Sequence, residues 1–235
     1  MPEPLAHPHR PVNQPVTAPA DGTAGFETLH LDSHLLVVGK PAGLLSVPGK
    51  GEGNQDCLSR RVQAAWPDAL TVHRLDMATS GLLTMARSPP MQRALSELFA
   101  NRSVFKRYVA VVSGMLPVTT DWQLIDFPIA QDWPRRPLRV VDPAAGKPSQ
   151  TRWRAIAVDA AAGTSTVELE PLTGRTHQLR VHLQAIGHPI LGDALYAPAA
   201  VLAAAPRLLL HAVSLGFVHP ASGQRVQFES PAPFV

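Results

Sequence analysis

Nine residues set between two apolar stretches carry the most chemistry in this chain: His73-Arg74-Leu75-Asp76-Met77-Ala78-Thr79-Ser80-Gly81. A carboxylate next to an arginine at a strand end is by default a turn with a surface ion pair. The whole island asks for more. Thr79, Ser80 and Gly81 supply hydroxyls and a permissive backbone that fix a tight turn and hold Asp76 in one orientation. A fixed, ionised carboxylate is a nucleophile, a base or an electrostatic stabiliser. Other chemistries fail on spacing. No phosphate-binding Gly-x-x-x-x-Gly-Lys-Ser/Thr loop exists, Gly49, Gly51 and Gly53 do not make a dinucleotide fingerprint, and there is no Gly-x-Ser-x-Gly elbow. His177, His182 and His188 stand five and six apart, which scatters them around a helix and disfavours a metal site. A single cysteine, Cys57, excludes paired-thiolate zinc and an internal disulfide framework.

The elements that must position the island follow from periodicity. With 235 residues, 45% of them hydrophobic, the chain can bury a sizeable core. Residues 1–25 carry six prolines before position 20 and read as a flexible tail, so the fold is expected over 26–235. Strands are expected at 34–40, 70–75, 82–86, 104–113, 151–158, 166–170, 208–216 and 225–229. Asp56 is expected to cap a helix bearing Leu58, Val62 and Ala65. Ser88 opens another with Leu95, Leu98 and Phe99 on its stripe, and Gly187 closes a third over 177–186. Many strands with few, non-alternating helices predict an α+β domain with a largely antiparallel mixed sheet. No apolar run approaches the roughly 18 residues of a membrane span, and no signal-peptide pattern opens the chain, so a cytoplasmic protein is expected.

At 73–81 the sequence resembles the catalytic motif of the A family of pseudouridine synthases, named for the large ribosomal subunit. Further segments resemble that family in the same order: LLSVPG at 44–49, FKRYVA at 105–110, LTGRTHQLR at 172–180, HPILGD at 188–193 and RLLLHA at 207–212. The likeness covers roughly 26–235 and implies a single catalytic domain with an RNA-binding cleft. No S4-like domain is expected before it. Asp132 to Pro137 and Gly146-Lys147-Pro148 are similar to a branch of the family with dual specificity, acting on loops of 23S rRNA and on tRNA anticodon stem-loops.

The resemblance also implies roles. Asp76 is the catalytic carboxylate, and either attack on C1′ or removal of the C2′ proton is open to it. Arg175 holds Asp76 ionised, Tyr108 stacks on the uracil and serves the C5 proton, and Arg74 fills the space left by a flipped base. No cofactor is required, because the reaction adds no group and changes no oxidation state. The expected partners are rRNA and tRNA stem-loops, with the protein a monomer.

His73 reads as a structural hydrogen-bonding residue; Leu183, Ile186, Leu210 and His211 are either pocket walls or core. Charge adds that residues 87–154 hold eleven basic and five acidic side chains, a local +6 in a chain of net +3. Seventeen of the 21 basic residues are arginine. RNA contact is therefore expected at Lys106, Trp133, Arg135, Arg136, Arg139 and Arg180. Pseudouridine synthesis on rRNA alone or tRNA alone, a non-catalytic RNA-binding module, and a hydrolase using Asp76 with His73 or His177 are the competing readings.

Overall fold

The computed structural model describes residues 25–235; all but the last residue of the expected Pro-rich tail lies outside the described residues. Its elements in chain order are β1 (Glu27–Leu31), β2 (Leu35–Lys40), α1 (Leu58–Ala65), β3 (Leu70–Thr71), β4 (Ser80–Ala86), α2 (Pro89–Ala100) and β5 (Phe105–Ser113). There follow β6 (Gln123–Asp126), β7 (Ile129–Gln131), β8 (Arg139–Val141), β9 (Gln150–Asp159), β10 (Thr164–Pro171), α3 (Gln178–Ala185), α4 (Ala199–Ala203), β11 (Leu210–Val218) and β12 (Arg225–Glu229). The main sheet runs β1-β2-β4-β11-β5-β10-β9-β6, with β3 on β4 and β12 on β11. All its pairings are antiparallel except β4 with β11, which touch through His211 opposite Ser80 and Ala212 opposite Gly81. That parallel contact needs glycine. At φ 111°, a Cβ on Gly81 would collide with the Ala212 backbone.

Both faces of β2 and β4 are covered, which is why their sequences are nearly unbroken apolar runs rather than alternating ones. Leu35, Val37 and Leu82 pack with Met91 and Leu95 of α2 on one side; Leu36, Val38 and Leu83 pack with Leu58 and Val62 of α1 on the other. A third core joins Ala110, Val112, Val167, Leu169 and Trp153 to Leu179 and Leu183 of α3. Burial of these three clusters, at about 1.5–3 kcal/mol for each large aliphatic side chain, fixes the sheet that carries the site loops.

Two local expectations change. Asp56 does not cap α1: Cys57 occupies the cap position without a side-chain bond, and Asp56 pairs with Arg61, its Oδ1 accepting from Nε at 2.8 Å. The strand expected at 70–75 stops at Thr71, because side chains take over the hydrogen bonding beyond it. His73 Nε2 accepts the Thr84 N–H at 3.0 Å, and Ser46 Oγ accepts the Leu75 N–H at 3.1 Å. The other strands lie within a few residues of their expected places. β7 and β8 form a separate two-stranded ribbon, and the turn between them carries Trp133.

Candidate active site

Asp76 lies in the loop from β3 to β4, and the segment after β2 holds that loop on both sides of it. Ser46 Oγ donates to the Leu75 carbonyl at 2.7 Å while accepting its N–H. On the other side, Gly43 N–H and the Lys40 ammonium both donate to the Met77 carbonyl, at 2.8 and 3.0 Å. Lys40 also donates to the carbonyls of Pro41 and Leu44. Burial lowers its pKa to about 8; the negative charge of Asp76 opposes that shift and the positive charge of Arg207 adds to it. Within the loop, Thr79 N–H closes a turn onto the Asp76 carbonyl at 3.1 Å. The carboxylate thus hangs from a backbone fixed at residues 75, 77 and 79, with its side chain 27% exposed.

The cation beside it is Arg180, not Arg175. Arg180 is on the first turn of α3 and almost wholly buried, with Nη1 3.8 Å from Asp76 Oδ2 and Nε 2.7 Å from Asp193 Oδ2. Arg175 belongs to the turn before the helix, where its Nε donates to the Pro148 carbonyl at 3.3 Å. Arg175 precedes the helix, whereas Arg180 is carried on the buried first turn of α3. Gln178 fixes that turn. Its Oε1 accepts from Thr173 Oγ1 and Arg175 N–H, and its Nε2 donates to the Gln150 carbonyl and Thr151 Oγ1, so a buried amide is fully used. The burial of Arg180 also corrects its expected RNA contact, since a guanidinium occupied by two carboxylates does not meet phosphate.

Tyr108 lies on β5 opposite Ala212 of β11 and Leu169 of β10, packed on the core that includes α3. Burial, and after it the charge of Asp76, push its phenol pKa up, so it stands beside the carboxylate as a neutral O–H. Arg74, two residues before Asp76, is exposed. His73 faces inward, stacked on Phe99 with ring centroids 4.2 Å apart, and burial holds its pKa down at about 3. Lys106, half-buried two residues before Tyr108, adds its positive charge to that lowering.

The remaining positions divide. Trp133 is 63% exposed, with the Arg136 guanidinium 4.3 Å above its ring. Arg135 Nε donates to Asp132 Oδ2 at 2.7 Å. Arg139 is a latch and not a free phosphate reader: its Nη1 donates to Gln131 Oε1 across the ribbon, and its backbone N–H donates to the Tyr196 hydroxyl at 3.0 Å. The basic stretch at 87–154 is likewise divided. Arg107, Arg152 and Arg154 surround Trp122 and pair with Glu168 and Glu170 of β10, so much of the local excess is neutralised across strands. Leu183 and Leu210 are core, Ile186 packs on that core, and His211 bonds Ser80 and Ser230. The three histidines that sequence spacing separates go to separate partners: His177 to Tyr196, His182 to Thr151 and Phe127, His188 to Ser113.

Sequence reasoning missed Lys40, Ser46, Asp193 and Tyr196. Asp193 lies in HPILGD, a segment read for its likeness and not for a carboxylate that an inward arginine would need.

Residues 34–185 match the family model described as RNA pseudouridylate synthase. The chain is 48% identical over 206 residues to the Dual-specificity RNA pseudouridine synthase RluA of Escherichia coli (strain K12), covering 88% of this chain and 93% of that protein. Its counterpart of the same name in Yersinia pestis is 47% identical, at 88% and 98% coverage. Among solved structures, Human RNA Pseudouridylate Synthase Domain Containing 1 superposes with a TM-score of 0.75 at 28% identity, over 93% of this chain and 88% of that one. The chain therefore belongs to the RNA pseudouridylate synthase family, whose reaction is the isomerisation of uridine in RNA.

Proposed function

We propose that this protein converts specific uridines in loops of 23S rRNA and in tRNA anticodon stem-loops to pseudouridine, working in the cytoplasm as a monomer, with residues 26–235 as the catalytic unit. The observation that carries the site assignment is the loop that holds Asp76 beside Arg180. Dual specificity draws its support from the name of relatives that match over most of both chains.

In the reaction the N1–C1′ bond breaks, the uracil turns, C5 bonds to C1′, and the C5 proton is lost while N1 gains one. Atoms balance, and no electron acceptor is needed. Asp76 is the residue that meets the sugar, either at C1′ or at the C2′ hydrogen. A carboxylate entering a pocket closed by a flipped base loses hydration and tends to protonate. Arg180 opposes that, and Asp193 keeps its guanidinium from turning away. Tyr108 offers a flat face to the base and a hydroxyl that carries its own proton, so it acts as a donor until a proton leaves C5. Arg74, exposed at the loop, takes the space the uridine vacates. Trp133 and Arg136 receive the RNA further out.

Carbodiimide and primer-extension mapping of rRNA and tRNA from a strain lacking the gene tests the substrates. Both RNAs should lose sites that the wild-type gene restores and Asp76→Asn does not. Restoration by Asp76→Asn would remove Asp76 from the chemistry, and loss in one RNA only would restrict the enzyme to that class. Tyr108→Phe should bind RNA normally and slow turnover; an unchanged rate would confine Tyr108 to stacking.

A further inference from the structure

The hydroxyl of Tyr196 stands at a junction. Its oxygen accepts the Arg139 backbone N–H at 3.0 Å and lies 2.6 Å from His177 Nδ1. A phenol has one proton, and among the described residues the Tyr196 hydroxyl has no acceptor except Nδ1. Donating to Nδ1 uses the phenol proton and leaves the Nε2–H of the half-buried ring free for solvent or a ligand, whereas a hydrogen on Nδ1 would leave the phenol proton without a protein acceptor among the described residues. In the neutral imidazole the hydrogen is then on Nε2. Neutrality follows from the surroundings. Burial lowers the His177 pKa; Asp76 and Asp193 oppose that, and Arg180 and Arg139 reinforce it.

Two further observations point to use rather than packing. His177 has φ 57°, one of two positive values for non-glycine residues among the described residues, and a left-handed histidine at a helix cap persists only where its neighbours hold it. Its ring is half-buried beside the site, Asp76 is the charge that acts on it most, and Nε2 has no protein partner among the described residues.

We propose that His177 presents Nε2–H as a hydrogen-bond donor to an oxygen of the nucleotide seated at Asp76, and that Tyr196 is the positioning residue that sets this tautomer. The idea rests on the reading of Asp76 as the catalytic carboxylate. It also ties recognition to chemistry. The N–H that occupies the Tyr196 oxygen belongs to β8, so the ribbon that carries Trp133 helps to hold the phenol that sets the donor.

The tautomer can be read without activity. In protein labelled with 15N-histidine, two-bond proton–nitrogen spectra distinguish the two neutral forms, and His177 is assigned by the signals that disappear in His177→Gln. The wild type should show the Nε2–H form, and Tyr196→Phe, which keeps the ring over Arg180, should shift it towards a mixture. Single-turnover rates on a saturating stem-loop supply the second reading. His177→Gln places a donor near the Nε2 position, while Asn suits the left-handed backbone better but falls short of it. Loss of the donor in His177→Asn should cost about tenfold, with His177→Gln within about threefold of wild type and RNA affinity little changed. An Nδ1–H wild type, an unshifted Tyr196→Phe, or His177→Asn as fast as His177→Gln would overturn the proposal. Activity in a parallel Asp76→Asn control would instead overturn the site reading on which it rests.

Discussion

Arg180 Nη1 lies 3.8 Å from Asp76 Oδ2, while the other edge of the same guanidinium is held by Asp193. One buried cation thus serves two carboxylates of unequal duty. Asp193 also accepts the N–H groups of Leu195 and Tyr196, so it is a fixed anchor. Asp76 has only the looser contact, and its oxygens remain available to a sugar. In the proposed role, a tighter pair at Asp76 would hold the carboxylate away from its substrate.

A lysine cannot reproduce this. An ammonium is a point charge without the planar fork that spans both acids. Arg180→Lys should fold, keep most of its RNA affinity, and lose about a hundredfold in single-turnover rate. Arg175→Ala, which removes only a side chain bonded to the Pro148 carbonyl, should remain within about threefold of wild type. Single-turnover kinetics on a purified stem-loop decide between them, and the reverse order would return the counter-ion role to Arg175.

The two arginines show where sequence reading stops. Both lie in one matching segment, and which one faces Asp76 depends on where α3 begins: Arg175 stays in the turn before it and Arg180 is carried on its buried first turn. Elements with strong periodicity, such as β5, α2 and β12, were legible because burial imposes a pattern on them. The β7–β8 ribbon was not, since three-residue strands are too short to carry one. Pairing was equally hidden. Glu168 and Glu170 neutralise arginines that lie 14 to 63 positions away in sequence and become neighbours only through the register of β10 with β5 and β9. The Asp76 loop stood out because its nine residues are contiguous in sequence, although the Lys40 and Ser46 that hold it, 37 and 29 positions from the carbonyls they bind, did not.

Two histidines with lowered pKa values contribute to acid sensitivity. Burial lowers His73 to about 3 and His211 to about 4, from an ordinary value near 6.5. In the unfolded chain both take up a proton below pH about 6.5, and in the folded protein neither does until far lower. The unfolded state therefore binds more protons in that window, so stability rises with pH through it and is lost on acidification. For His211 the full span is worth on the order of 3 kcal/mol. Urea unfolding at pH 4.5, 5.5 and 7 should show the loss, and His211→Gln should flatten the dependence by about one proton. An unchanged slope in that variant would mean His211 is charged in the fold.

Arg74 should matter most where a target uridine starts out stacked. Unstacking costs a few kcal/mol, and in the proposed role the exposed Arg74 would recover part of it by filling the gap. Arg74→Ala should therefore slow a stem-loop with a stacked target more than one whose target is already splayed out by a neighbouring abasic site. Single-turnover rates on the two RNAs provide the comparison, and equal losses would remove Arg74 from base flipping.

Salt dependence should separate Arg136 from Arg135, although the two are adjacent in sequence. Arg135 is committed to Asp132, with Nε to Oδ2 at 2.7 Å, so a phosphate would have to compete with a carboxylate already in place. Arg136 has no carboxylate partner among the described residues and lies over the exposed Trp133 ring, which orients it without neutralising it. Removing one phosphate-binding cation reduces the slope of log affinity against log salt by about 0.7–0.9. Arg136→Gln should show that reduction on every RNA substrate, with the single-turnover rate at saturation little changed, because its guanidinium lies over the exposed Trp133 ring and is not among the groups bonded around Asp76. Arg135→Gln should move the slope by less than half as much. Trp133→Ala should behave as a weaker Arg136→Gln, since the guanidinium remains but loses the surface that holds it. Binding measured by fluorescence anisotropy across a salt series checks all three, and an unchanged slope in Arg136→Gln would place this turn away from the RNA.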